Sequence, residues 1–277
     1  MKRFILLACA ALLCLSGCAS QTEPPENPCR LKVHVQENTN SGHKWEFHYT
    51  YNDQGHLAGI QEYTNGEPGV LWTYEYDDWG NILRETTEET DGTVCVTEHT
   101  LTLDDAHRVL YDETFSGGVL TAITEAAYDK DGNQTMLNIN RIGSLDGADL
   151  VSYVDCTYDS KGNLIQETVR WSNDAASGGI STYIYQNDRL VRMEYRSHDG
   201  TLNYFNKYSY DETGLIRTAM QYEADKTLSG KTITTFDEYG NELRSETYRY
   251  QEGIPGGDDD AVDRITTYTY ESIDPAN

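Results

Sequence analysis

Apolar and polar residues alternate with period two over most of the chain. Trp45, Phe47, Tyr49 and Tyr51 interleave with Glu46, His48 and Thr50, and Trp72, Tyr74 and Tyr76 interleave with Thr73 and Glu75. Such alternation marks a strand with one apolar face, because successive side chains of a pleated strand point to opposite sides. Return strands follow, as in Leu164-Ile165-Gln166-Glu167-Thr168-Val169-Arg170-Trp171 and Leu190-Val191-Arg192-Met193-Glu194-Tyr195. Downstream of residue 17 no apolar stripe has the length and 3.6-residue period of a helix.

A second pattern punctuates the first. The strings Tyr76-Asp77-Asp78-Trp79-Gly80-Asn81, Tyr128-Asp129-Lys130-Asp131-Gly132-Asn133, Tyr158-Asp159-Ser160-Lys161-Gly162-Asn163 and Phe236-Asp237-Glu238-Tyr239-Gly240-Asn241 are copies of one signature. Aligning each on its first residue gives the anchors Tyr51, Tyr76, Leu103, Tyr128, Tyr158, Tyr185, Tyr210, Phe236 and Tyr270, spaced 25 to 34 residues apart. Four residues after each of the first eight anchors stands a glycine, except at His107 and Arg189. Glycine supplies a positive φ at no steric cost, and Asp or Asn beside it can hydrogen-bond turn backbone, so each signature predicts a hairpin turn. The fold class is therefore all-β: a tandem β-hairpin repeat in an antiparallel meander of about seventeen strands. Laid flat, these would span ~80 Å, and open sheets beyond about ten strands curl or split. The aromatic face must also leave water, each large side chain gaining about 2 kcal/mol on burial. The sheet is expected to roll, aromatic face inward, into a spiral, half-pipe or wide barrel.

The repeated Tyr-Asp-x-x-Gly-Asn resembles the YD-repeat (Rhs-like) family of bacterial surface and toxin-encapsulating proteins, found also in animal teneurins. The similarity covers residues from about 45 to 270. It implies long β-sheets that wind into a hollow shell, and carbohydrate binding has been proposed for some members. The units here are longer than the family's, Asn follows the glycine only at Asn81, Asn133, Asn163 and Asn241, and no toxin-sized domain follows the repeats. The β-hairpin strip carries over; a closed toxin cocoon does not.

The first residues have another character. Lys2 and Arg3 precede an apolar run from Phe4 to Leu15, then Ser16, Gly17 and Cys18. A run of about a dozen residues is too short to span a bilayer as a helix, and residues 1–17 read as a secretory signal. Leu15-Ser16-Gly17-Cys18 resembles the lipobox of bacterial lipoproteins, which implies cleavage before Cys18, its acylation and palmitate-type lipid anchoring to the cell membrane on the extracytoplasmic side. Residues 18–28 read as a polar, proline-rich tether, and 29–277 as the repeat domain.

Composition narrows the partners. With 46 acidic against 21 basic residues, the formal net charge is −25, and no basic patch stands out along the chain, which argues against nucleic acid. Of the six cysteines, only Cys29, Cys95 and Cys156 lie in the repeat domain. Three thiols at wide spacing allow at most one disulfide and no CxxC site, and Cys95 and Cys156 read as small buried strand residues.

No HExxH, nucleophile elbow, phosphate loop or dinucleotide fingerprint occurs, so no catalytic residue and no cofactor is assigned. The acids Glu85, Asp112, Glu167 and Glu194, nine residues after their anchors, read as a solvated strand row. Asp258, Asp259, Asp260 and Asp263 on a glycine-rich insertion are a candidate Ca²⁺ site, against the simpler reading of an acidic loop. The aromatics admit two readings. They are core, or Trp45, Trp72, Tyr74, Tyr183 and Tyr208 present flat faces for stacking on a ligand. The function expected is a non-enzymatic, membrane-anchored surface lipoprotein whose extracellular repeat sheet binds a glycan or another macromolecule. The alternatives are a structural or adhesive envelope spacer and a remnant of a toxin-shell protein.

Overall fold

A computed structural model of the chain describes residues 29–142, 150–172, 178–249 and 261–273. The signal at 1–17, Cys18 with its tether, and the candidate calcium ligands Asp258, Asp259 and Asp260 lie outside these residues.

Eighteen strands follow one another: β1 (Cys29–Asn38), β2 (His43–Tyr51), β3 (Leu57–Thr64), β4 (Glu67–Tyr76), β5 (Ile82–Glu88), β6 (Val94–Leu103), β7 (Val109–Ser116), β8 (Val119–Tyr128), β9 (Gln134–Arg141), β10 (Leu150–Tyr158), β11 (Leu164–Trp171), β12 (Gly179–Gln186), β13 (Arg189–Ser197), β14 (Leu202–Tyr210), β15 (Ile216–Glu223), β16 (Leu228–Phe236), β17 (Glu242–Arg249) and β18 (Val262–Ser272). Each pairs antiparallel with its neighbours in sequence. The two ends meet, with Cys29 of β1 opposite Ser272 of β18 and Asn38 opposite Arg264. The meander is thus a closed up-and-down barrel, the last of the three curled forms expected. The strand beyond the seventeen is β1, which precedes the first signature and carries no repeat mark, yet closes the ring.

The signature explains the turns atom by atom. Asp159 Oδ1 accepts the backbone N–H of Lys161 at 2.8 Å and of Asn163 at 2.9 Å, while Oδ2 accepts the Asn163 side-chain amide at 2.9 Å. Asp77 with Asn81, Asp129 with Asn133 and Asp237 with Asn241 repeat this clamp. At Asp104 the Arg108 guanidinium replaces the amide, its Nε donating at 2.7 Å. The Asn amide, outweighing partial desolvation and helped by the backbone donors, holds the Asp129 and Asp159 carboxyls below the usual carboxylate range. All six signature glycines have positive φ, between 78° and 91°. His107 takes the same region at 62°, and the turn after Tyr185 is a shorter one in which Asn187 and Asp188 hold φ of 52° and 62°.

The anchor tyrosines tie each repeat to the one before. Tyr51, Tyr76, Tyr128, Tyr158, Tyr210 and Tyr270 donate their hydroxyls to the carbonyls of Leu31, Leu57, Val109, Gln134, Leu190 and Glu242, at 2.6 to 3.2 Å. Each acceptor lies within the first three residues of the strand preceding that anchor's own. The residue before four of these acceptors stacks on the same ring: Arg30 on Tyr51 at 4.6 Å, His56 on Tyr76 at 5.0 Å, Arg108 on Tyr128 at 4.5 Å and Arg189 on Tyr210 at 5.1 Å. A rim of tyrosines therefore circles the signature end of the barrel.

Bulges recur beside these turns, as between Thr50 and Tyr51 or Glu75 and Tyr76. Opposed residues followed once round the ring return displaced by about twenty positions along β1, a stagger that tilts the strands by ~40° and encloses a ring ~35 Å across.

On most strands one face is more covered, the exceptions being Phe205 of β14 and Tyr248 of β17, which are buried on the other face under Arg192 and Lys231. Anchors and the residues two and four before them are half-buried or buried, whereas Thr50, Thr73, Glu75, Glu98, Glu125, Lys207 and Thr269 on the other face are exposed. Side chains converge on the concave side of a curved sheet and splay on the convex side, so the tyrosine face is the inner one. Ala126, Leu137, Ser152, Ser181, Thr234 and Thr266, all buried, lie on it. Among the described residues no large side chain drops below 2 % exposure. The barrel encloses a hollow rather than a packed core.

Candidate functional site

The hollow gathers the residues with binding chemistry. Trp45, Trp72, Tyr74, Tyr183 and Tyr208 all lie at even offsets from an anchor and so on the inner face. They do not form one cluster. Trp45 on β2 and Trp72 and Tyr74 on β4 line one wall, where Trp72 and Tyr49 flank Ile60. Tyr183 on β12 and Tyr208 on β14 line the wall across the hollow. These rings are partly exposed and border open space.

Two phenols of the lining, Tyr183 and Tyr268, are held protonated. Burial, aided by the Glu167 charge, pushes the Tyr183 hydroxyl up to about 12. Burial and the charge of Glu242 do the same to Tyr268, also to about 12. Both hydroxyls are therefore donors throughout the physiological range.

The expected solvated row of acids is corrected by the register. Glu85 lies opposite Tyr74, Asp112 opposite Leu101 and Glu167 opposite Cys156, so all three turn inward. Burial raises the Glu167 pKa. Asp112 Oδ2 meets His99 Nδ1 at 2.9 Å and accepts the Thr114 hydroxyl at 3.2 Å. Glu194 alone of the four faces outward, because the short turn after Tyr185 removes one residue and inverts the parity. Cys95 is exposed near the start of β6, contrary to the buried strand residue expected, and no disulfide joins Cys29, Cys95 and Cys156. Asp263, the described member of the candidate calcium set, accepts the Asn40 amide at 3.1 Å. Among the described residues no three His, Cys, Asp or Glu side chains converge as metal ligands.

Sequence reading missed three inner features. An even offset from an anchor marks His99, Asn206 and Thr232 one by one, but not what each of them meets. The first is the His99–Asp112 pair. The second is a niche of about 300 Å³ on β14 to β17, lined by Asn206, Ala219, Gln221, Ser229, Lys231, Thr232, Thr247 and Tyr248 around Gly230. A Cβ at Gly230 would sit 3.8 Å from Gln221 Cβ and 3.6 Å from the Tyr248 carbonyl, so the glycine leaves room that a side chain would occupy. Tyr208, opposite Ala219, stands at its edge.

The third is His34, stacked between Phe47 at 5.3 Å and Tyr268 at 5.0 Å on the closing seam of the ring. Its Nε2 is buried with no hydrogen-bond partner among the described residues, and burial lowers its pKa below 6.5. A histidine held neutral in the fold but free to charge when unfolded costs stability as the pH falls. The urea midpoint is expected to drop from pH 7.5 to 5.5, the loss starting near 6.5, and His34→Gln to flatten that drop; equal slopes for the two proteins would remove His34 from the account.

The outer wall bears on membranes. Glu46, Glu98, Lys207, Arg244 and Glu246 sit mid-strand and face outward, several in pairs such as Lys44–Glu46 at 2.6 Å and Arg244–Glu246 at 2.8 Å. A basic residue facing lipid at mid-bilayer costs ~2–4 kcal/mol, so this wall is built for water. Among the described residues no helix is long and apolar enough to cross a membrane.

No family model matches the chain, and no curated protein matches it. Solved structures do. A porin-like protein from Bacteroides uniformis is 15% identical with a TM-score of 0.45, the match covering 90% of this chain and 100% of that one. A TcdB2-TccC3-TEV structure is 14% identical with a TM-score of 0.37, covering 79% of this chain and 15% of that one. A Photorhabdus luminescens Tc holotoxin pore is 10% identical with a TM-score of 0.32, covering 85% and 15%. The chain thus spans about a seventh of the length of the toxin chains it matches. At these identities the likeness extends to β-sheet and no further.

Proposed function

We propose that this chain is a non-enzymatic, membrane-anchored lipoprotein whose hollow barrel binds a glycan or another extracellular macromolecule on its inner face. The observation that carries the reading is the inner face itself: tyrosines and tryptophans border open space, and beside Tyr208 a niche offers amides and hydroxyls together with Lys231. Flat rings with polar edges suit stacking on sugars, and Asn206, Gln221, Thr232 and Thr247 both donate and accept hydrogen bonds.

Anchoring rests on Leu15-Ser16-Gly17-Cys18. Acyl chains on Cys18 contribute about 0.8 kcal/mol per buried methylene, and two or more hold a protein stably. β1 starts at the tyrosine rim, so a tether from Cys18 brings that rim toward the bilayer and points the opposite turns away.

A glycan array probed with the full chain tests the binding reading. Reproducible hits are expected, weakened at least tenfold by Tyr208→Ala, while Thr73→Ala on the outer face leaves them unchanged. A blank array, or hits indifferent to Tyr208, sinks the lumen as a binding site and favours the envelope spacer. Release of the Cys18→Ala protein from the membrane fraction checks the anchor independently.

A further inference from the structure

Charge on the outer wall is segregated although the chain as a whole is strongly acidic. On β13, β14 and β16 the outward residues Arg192, Lys207 and Lys231 fall in one register row, Arg192 opposite Lys207, Lys207 opposite Met220 and Met220 opposite Lys231. Arg196 stands beside them, and the intervening Glu194 is held by both arginines, at 2.7 and 2.8 Å. Aromatic rings seat the cations: Arg192 lies over Phe205 at 4.1 Å, Lys207 over Tyr222 at 5.2 Å and Lys231 over Tyr248 at 4.1 Å. The basic patch that the linear sequence lacks is thus assembled by strand register. Nine strands away round the ring of eighteen, the outward residues of β4, β6, β7 and β8 include Glu75, Glu98, Glu113 and Glu125, with Arg84 of β5 3.8 Å from Glu75.

The two walls match in height as well as in sign. Lys207 stands three residues before its anchor Tyr210, and Lys231 five before Phe236; Glu125 stands three before Tyr128, and Glu98 five before Leu103. Anchors mark one common rim, so these acids and cations sit at equal levels above it.

We propose that the basic wall of one barrel docks the acidic wall of a second copy of this chain, both the same way up. Because each copy carries the two walls on opposite sides, the contact is heterologous and repeats as a row instead of closing as a dimer. The net charge of −25 opposes approach, but at physiological ionic strength charges beyond about 8 Å are screened, while facing walls lie within that distance. Barrels tethered by one rim to a common surface would already share the orientation that the contact needs.

Sedimentation of the full chain tests this with two double variants, Lys207→Glu with Lys231→Glu, and Glu98→Lys with Glu125→Lys. The wild type is expected to self-associate and to dissociate as salt is raised to about 0.5 M, where screening shortens to a few ångströms. Either double variant alone should associate at least tenfold more weakly, and an equimolar mixture of the two should recover mixed rows. A wild type that is monomeric at all concentrations, or double variants that associate as it does, overturns the proposal. Should a charge reversal impair folding, the neutral pair Lys207→Gln with Lys231→Gln must still weaken association severalfold, and unchanged association there is equally fatal.

Discussion

A chain lacking residues 29–38 will associate edge to edge even at about 0.5 M salt, where the charge-driven rows of the full chain come apart. β1 makes two seams at once, with β18 from Cys29 opposite Ser272 to Asn38 opposite Arg264, and with β2 from Val33 opposite His48 to Asn38 opposite His43. Its removal leaves β2 and β18 as long edges with unpaired N–H and C=O groups, templates on which other chains pair. Tyr51 also loses the Leu31 carbonyl and the Arg30 stack, so the tyrosine rim breaks at the same place. Sedimentation should then report dimers and larger species, and hydrogen exchange should lose protection first in β2 and β18. A peptide of residues 29–38 added in trans should restore both the monomer at that salt and the protection. A truncated chain that remains monomeric with native protection would mean that closure contributes little, and that the sheet is stable as an open curl.

The tyrosine rim should carry a share of the stability comparable with the whole of what a domain usually has. Replacing Tyr51, Tyr76, Tyr128, Tyr158, Tyr210 and Tyr270 by Phe keeps every ring and its stacking partner and removes only the hydroxyl. A net hydrogen bond contributes ~0.5–1.5 kcal/mol, so six give ~3–9 kcal/mol against the ~5–15 kcal/mol that holds a typical domain folded. Successive rim tyrosines are two or four strands apart, ~10 Å or more, and should act nearly independently. Urea titration of single and combined Tyr→Phe variants should show steps of about 1 kcal/mol that add. Tyr49→Phe, on the same face but outside the rim, should shift the midpoint by under about 0.5 kcal/mol. A sixfold variant that loses less than about 1 kcal/mol would show the rim hydroxyls to be as well served by water.

What was legible follows from the range of the interactions. Hairpin turns were readable at Asp77, Asp129, Asp159 and Asp237 because the clamp spans only five residues, and glycine with positive φ is a local demand. The inward face of the even strands was readable because Tyr49, Tyr74, Tyr183 and Tyr208 keep parity with their anchors. The odd strands were harder, since a bulge after each turn shifts parity; hence Glu85, Asp112 and Glu167 read as a solvated row when they turn into the hollow. Glu194 points outward for the converse reason, a turn one residue short. The niche at Gly230 and the stacking of His34 draw on residues from four strands and three strands respectively, and no spacing along the chain announces them.

The amino-acid sequence by itself determined the units: strands of alternating polarity, their turns, and tyrosines at constant offset, each set by contacts within about 30 residues. Only the tertiary structure decided that the strip closes, because closure needs the small stagger of every hairpin to sum correctly round eighteen strands and β1 to meet β18 from the far end of the chain. With closure came the hollow, the half-exposed tyrosine lining, and opposite walls of opposite charge. None of these belongs to a repeat; they arise where repeats distant in sequence face one another across or around the ring.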